Sequence, residues 1–270
     1  MMTVLLPMTG ATVRMACRTG TYKGDTLRVA PDYVQGNVVI LPSGFANDFA
    51  RFCELNPRSC ALIARSDPGK HEIPAIAADL DVRSDLPRYR IWRYGSLVEE
   101  PLDIRHVWTG DLVTFVLASS HTFEQVLQQA GIAFPPIDPG IVPATYVTDI
   151  ETAPAGPFQG RVIVSMQPMK TQDAARALAL AEAAPDRPGA PFHVGAPEAI
   201  GIRQLGRPDY GMRPQLRLDE VPVFWACGVT PHRVLETARL PFAITHKPGC
   251  RLVTDVLRDA FAGGSLRLTA

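Results

Sequence analysis

The stretch Val221-Pro-Val-Phe-Trp-Ala-Cys227-Gly-Val-Thr-Pro231 decides how the chain is read, because an apolar run ends on a thiol and a glycine and then meets a helix start. Thr230 is a good N-cap, and Pro231 suits the first helical turn, where its missing N–H costs nothing. A buried strand therefore finishes beside a helix N-terminus. Backbone N–H groups and the positive end of the helix dipole then face one spot, which suits a carboxylate or a developing oxyanion.

Two earlier stretches repeat the pattern. Residues 33–41 read as a strand, Pro42-Ser43-Gly44 turns the chain, and Phe45, Phe49, Phe52 and Leu55 share one face of the helix that follows. Asn56-Pro57 stops that helix. Residues 112–118 read as a second buried strand, followed by Ser119-Ser120-His121 and a helix with Phe123, Leu127 and Ala130 on one side and Gly131 beyond its end. Thr122 and Gln125 have the spacing of a capping box. Three strand–turn–helix units predict an α/β fold with a three-layer, mostly parallel sheet domain.

Between the second and third units the rhythm changes. Residues 145–150 and 161–166 read as strands, 171–184 as a helix and 191–194 as another strand, a β-β-α-β pattern. Pro135-Pro136 and Pro139 before it, and Pro208 and Pro214 after it, bracket a smaller α+β sandwich domain interleaved with the larger one. The expected boundaries are 1–134 with 216–270 for the discontinuous α/β domain and 135–215 for the insertion. Loops at 42–44, 118–122 and 227–230 are then expected at the carboxyl ends of strands, in one cleft.

Composition narrows the function. Lys plus Arg number 27 and Asp plus Glu number 27, a balance that pulls the chain toward neither nucleic acid nor an anionic membrane. The longest apolar runs are too short to cross a bilayer, and the apolar start lacks the basic region of a secretory signal, so a cytoplasmic protein with a small-molecule partner is expected. Cys17, Cys53, Cys60, Cys227 and Cys250 are an odd set without metal spacing, which argues against a disulfide framework and a zinc site. No metal and no cofactor are expected, since Gly-Val-Thr-Pro lacks the glycine spacing of a nucleotide loop. A homo-oligomer stays open.

The candidate residues each have two readings. Cys227, beside a glycine and a helix N-terminus, is either a nucleophilic thiol or a small core residue. His246 is expected on a loop after a strand-like Phe242-Ala-Ile244, where an imidazole can act as acid or base. Asp255 either orients His246 or caps a final helix, and Glu124 either serves as a general base or simply favours the dipole of its helix. Gly228 and Thr230 belong to the oxyanion turn. Asn37, Ser119 and Ser120 can hold a carboxylate, although serines before helices also cap them. His193 is by default structural and otherwise substrate-binding. The charged run from Asp81 through Arg83, Asp85 and Arg88 to Arg90 reads as a solvated turn with surface pairs.

Over residues 18–255 the chain resembles the D-glutamate cyclase-like hydro-lyase family. The matching stretches are Tyr33-Val-Gln-Gly-Asn-Val-Val-Ile-Leu-Pro42, Asp85-Leu-Pro-Arg-Tyr-Arg90, Phe123-Glu124, Pro154-Ala-Gly156, Val164-Ser-Met166, His193-Val-Gly195, Gly201-Ile202, Pro222-Val-Phe-Trp-Ala-Cys-Gly-Val-Thr-Pro231 and Ile244-Thr-His246. The resemblance implies a carbon–oxygen lyase of amino acid metabolism, with closure of D-glutamate to 5-oxo-D-proline and loss of water as the concrete reaction. Glu124 and His246 would then share the base and acid roles, and Asn37, Ser119 and Ser120 would hold the second carboxylate. Where the family has Gly-Cys-Ser-Phe-Ser this chain has Ala118-Ser-Ser-His-Thr122, and it carries Gln167, Ala196, Met212 and Cys250 at positions where the family has other polar residues. Two rivals follow: a thiol-dependent racemase or acyl transferase using Cys227, and a non-catalytic protein that binds an amino acid or lactam.

Overall fold

The structure is a computed structural model that describes residues 8–26, 29–118, 123–132, 143–183 and 189–258. Ser119, Ser120 and the Thr122 half of the expected capping box lie outside the described residues. The chain divides into two compact units: Met1–Ala50 with Leu62–Ala118 and Ala238–Ala270, and Arg51–Ala61 with Ser119–Thr237.

The first unit is organised on β1 (Tyr33–Pro42), in which the eight residues between the ends are all buried. Along one edge β1 pairs with β5 (Leu112–Ala118), from Gly36↔Ala118 to Pro42↔Leu112. The other edge is shared by two strands, β11 (Leu252–Leu257) near the start of β1 and β10 (Ala243–His246) near its end. β10 pairs onward with β3 (Tyr89–Arg93), which turns through Tyr94 and Gly95 into β4 (Ser96–Glu99). Both turn residues have positive φ, 49° and 80°, as a two-residue hairpin matched to strand twist requires. β2 (Leu62–Arg65) flanks β5 on the far side. At Gly36 a Cβ would overlap the Val116 side chain, so the β1–β5 approach needs glycine there.

All these pairings are antiparallel, which corrects the expected mostly parallel sheet. The strand–helix–strand rhythm is present: β1 leads through α2 (Ser43–Leu55) and α3 (Pro57–Cys60) to β2. The two strands of that crossover point the same way, because each is antiparallel to β5, but β5 lies between them. The continuous burial of β1 and β5 reflects burial on both faces, a property parallel strands usually have but do not own.

Two helices are fixed locally. In α2, Phe49 and Phe52 are fully buried, Phe49 meeting Phe115 edge-on at 4.9 Å, while Leu55 at the end of the same stripe is exposed. An unexpected helix, α1 (Gly10–Arg18), is N-capped by Thr9, whose hydroxyl accepts the Thr12 N–H at 3.2 Å. Gly10, Val13, Arg14 and Cys17 form its buried stripe. Gly10 lies so close to β11 that a Cβ would run into the Thr254 carbonyl.

The second unit holds a four-stranded antiparallel sheet of order β6-β7-β9-β8, made from β6 (Thr145–Glu151), β7 (Arg161–Lys170), β8 (Pro191–Val194) and β9 (Glu220–Ala226). The expected β-β-α-β elements are all here, with α5 (Thr171–Glu182) as the helix. β9 joins them, pairing with β7 and β8, instead of lying beside β1 and β5 as the three-unit reading supposed. β9 alternates as a two-faced strand should: Val223 and Trp225 join Phe123, Leu127 and the alanines of α5, whereas Phe224 faces Tyr146, Val164 and Ile202. Asn56 ties the segment after α2 to Ala153, accepting its N–H at 2.9 Å and donating to its carbonyl at 2.9 Å.

Candidate functional site

At the end of β9 the chain makes the turn that the sequence singles out. The Cys227 N–H donates to the Ile163 carbonyl at 2.8 Å, and the Cys227 carbonyl receives the Thr230 N–H at 3.0 Å. The Thr230 hydroxyl donates to that same carbonyl at 2.8 Å and accepts the Ile163 N–H at 3.1 Å. Thr230 opens α6 (Thr230–Ala238) and is fully buried, so its hydroxyl locks the turn to β7. Cys227 and Gly228 beside it are half-buried. The other four cysteines are buried. Burial, with help from Asp85, pushes the Cys17 thiol up to about 12, and burial raises Cys53 and Cys60 as well. Those thiols are held in their unreactive form at neutral pH.

Two more candidates lie in this unit. Glu124 is the first residue of α4 (Glu124–Gln129), and Phe123 before it packs on Trp225 with ring centroids 6.3 Å apart. The helix carrying Glu124 is thereby seated on the strand that leads to Cys227. His193 lies on β8, its Nε2 2.8 Å from the Ala196 carbonyl and its ring 5.9 Å from that of Phe224. These contacts come from its own loop and from the neighbouring strand β9.

In the first unit His246 is the last residue of β10 rather than a loop residue, and it is 1% exposed. The β1–β10 register runs through Ile40↔Ile244 and Val39↔Thr245. One residue further the imidazole takes over from the ladder: the Val38 N–H donates to His246 Nδ1 at 3.2 Å, with the Val38 carbonyl 3.4 Å from the same nitrogen. The backbone of Val38 thereby orients the His246 ring.

The structure does not place Asn37 beside that ring. Val39, Thr245 and Arg90 are directly opposed, as are His246 and Tyr89, and side chains alternate along a strand, so Asn37 lies on the face of Thr245 and Arg90, opposite His246. Its amide donates to the Ala118 carbonyl at 3.2 Å, at the end of β5.

Asp255 is inside β11, not at a helix start, and its carboxylate receives Arg14 Nη2 at 2.8 Å. Arg14 belongs to a cluster that the sequence reading missed. Its side chain is fully buried, donates to the Val253 carbonyl at 2.9 Å, pairs with Asp79, and has Nε 4.0 Å from Asp85. Asp85, read from sequence as part of a solvated turn, is buried and gripped by Arg18 through two bonds of 2.7 Å. Burial pushes the Asp85 carboxyl up, against the pull of Arg18. One signal was legible: Arg14 lies on the stripe of Val13 and Cys17, and an arginine on a buried stripe needs carboxylates.

The loops expected at the ends of one parallel sheet follow strands of two antiparallel sheets: Pro42 and His246 belong to the first, and the Cys227 turn follows β9 of the second. Among the described residues no group of three or more His, Cys, Asp and Glu side chains is placed to hold a metal ion, and no helix is long and apolar enough to cross a membrane.

Residues 113–255 match the model of the D-glutamate cyclase family. A protein of Rhodopseudomonas palustris strain HaA2 named "Putative hydro-lyase" is 52% identical over 243 residues, covering 90% of this chain and 89% of its own. Similar proteins with the same descriptive name occur in Bordetella pertussis, at 47% identity over 97% of this chain and 95% of that protein, and in Bradyrhizobium diazoefficiens, at 49% over 95% and 94%.

Proposed function

The chain belongs to the D-glutamate cyclase family, and from that premise we propose that it is a hydro-lyase acting on a small amino or hydroxy dicarboxylate, with the closure of D-glutamate to 5-oxo-D-proline as its reaction. In that closure the amine nitrogen attacks the side-chain carboxyl carbon, the C–N bond forms, and the C–O bond breaks. The amine proton and the carboxyl hydroxyl leave together as water. The step needs a base for the amine, a proton for the departing oxygen and donors for the tetrahedral oxyanion.

The observation that carries this reading is the His246 ring. Its Nδ1 receives the Val38 amide, so the imidazole is oriented by backbone, and we assign it an acid–base role. Glu124 is the complementary carboxylate, one of the pair serving as base and the other as proton donor. In the Cys227–Thr230 turn the Cys227 and Thr230 N–H groups are bonded within the fold, so the proposed oxyanion donors are those of Gly228 and Val229 between them, in a conformation that the Thr230 hydroxyl holds. Ser119 and Ser120 remain proposed partners of the second carboxylate, while Asn37, on the sheet face opposite His246, leaves that role.

The thiol-dependent rival has one observation in its favour: Cys227 is the half-buried cysteine of the five. Incubation with D-glutamate, L-glutamate and their hydroxy analogues, with loss of one water followed by mass, tests both. Cyclisation predicts turnover that His246→Gln and Glu124→Gln each lower by about 10²–10⁴-fold and that Cys227→Ser preserves. Collapse in Cys227→Ser selects thiol chemistry. Saturable binding without turnover at any pH selects the non-catalytic amino acid or lactam binder.

A further inference from the structure

Within the second unit a cleft of about 470 Å³ opens where β6, β7 and α6 meet, a volume typical of small-ligand sites. Its lining includes Glu151, Gln159, Arg161, Arg233 and Thr237. We propose that this cleft binds a small dicarboxylate and that occupancy is felt at the Cys227 turn, making it a site separate from the residues assigned to catalysis.

The ligand class follows from the two guanidinium groups. Arg161 meets Glu151 through Nε at 3.4 Å, and Arg233 meets Glu236 through Nη1 at 2.5 Å. A guanidinium carries five N–H donors in a planar fork, so each arginine keeps the capacity to receive a second carboxylate. The two arginines come from different elements, a strand and a helix. Both line the same cleft, so a ligand with two carboxylates can offer one to each, whereas a single compact anion has one charged centre to offer.

The coupling follows from what stands between cleft and turn. Arg161 is two residues before Ile163 on β7, and Arg233 is three residues after Thr230 on α6. Ile163 and Thr230 are the residues whose hydrogen bonds hold Cys227 in place. At Gly160 strand and helix nearly touch, since a Cβ there would lie 3.3 Å from Val234 Cγ2. A ligand drawing Arg161 toward Arg233 therefore loads the β7–α6 junction with no soft material in between. The consequence for activity rests on the role given to the Cys227 turn above; the binding itself does not.

The test is a titration of the ¹⁵N-labelled full chain with glutarate, read by amide chemical shifts. Saturable shifts are expected at Gly160, Arg161 and Arg233, and through the junction at Ile163 and Cys227. Arg161→Gln and Arg233→Gln, both at exposed side chains, should each weaken binding at least about tenfold, and the double variant should abolish the Gly160 shift. Glu124→Gln should leave the titration unchanged, which separates this site from the catalytic one even if turnover is never found. Absence of saturation at Gly160, or shifts that survive the double variant, would overturn the site. Phosphate binding as tightly as glutarate would overturn the ligand class, and a Cys227 amide that stays still while Gly160 moves would overturn the coupling.

Discussion

Two strand junctions, one in each unit, solve the same problem with different chemistry. At the β1–β10 junction the ladder gives way after Val39, and an imidazole receives the Val38 N–H. At the β7–β9 junction the turn leaves the ladder at Cys227, and a threonine hydroxyl receives the Ile163 N–H. A backbone donor left unmade in a buried place costs about 1–3 kcal/mol, so each side chain is well placed to stabilise its fold. The hydroxyl does not titrate near neutral pH and can only hold. An imidazole carries two ring nitrogens of donor or acceptor character, so the first unit places an acid–base type of side chain where the second places a fixed pin. The first unit also carries the charge cluster of Arg14, Arg18, Asp79, Asp85 and Asp255, while the turn of the second is held by neutral groups.

That contrast breaks most readily at Arg14. Arg14→Met should lower unfolding free energy by roughly 2–4 kcal/mol, short of the full cost of splitting a buried ion pair because Asp79 and Asp255 are partly in water. Urea denaturation checks it; a loss no greater than that of a surface pair would mean the cluster does not hold α1 to β11. Thr230→Val is expected next, at about 1–3 kcal/mol, since the isostere strands the Ile163 N–H. Thr230→Ser should recover most of this, and a Thr230→Val variant as stable as the parent would remove the pin from the comparison.

The smallest effect concerns pH. Burial works against ionisation at Asp79 and Glu100, but bonds from Arg14 to the first and from Lys247 and Arg90 to the second hold both carboxyls below their ordinary values. A depressed folded pKa stabilises the fold above the unfolded value and stops doing so as pH falls through the folded one. Stability should therefore decline as pH drops below the ordinary carboxylate range, with amides of β3, β10 and β11 losing exchange protection before those of β7 and β9. Glu100→Gln should flatten part of that decline, and simultaneous loss in both sheets would erase the distinction between the units.

Much of the element sequence was legible because it is local. Residues 112–118 read as a buried strand, Asn56-Pro57 stops α2, and the apolar run into Cys227 reads as the strand that is β9. Strand direction was not legible, because a helix between two strands sets their relative orientation but not whether β5 comes between them. The site was legible in residue type more than in use. Cys227 and Thr230 share a turn as read, yet the Thr230 hydroxyl is committed to Ile163, and Asp255, read with His246, pairs with Arg14 from a helix 241 positions away.

By itself, the sequence determined β1 and β5 to β9, the helices α2, α4, α5 and α6, and the meeting of a strand end with a helix start at Cys227, because periodicity and capping act over a few residues. Tertiary structure alone decided that the sheets are antiparallel, that β9 lies with β7 and β8, and that Arg14 gathers Asp79 and Asp255. Those outcomes depend on which distant backbone edges and charges find one another, and no local preference encodes that choice.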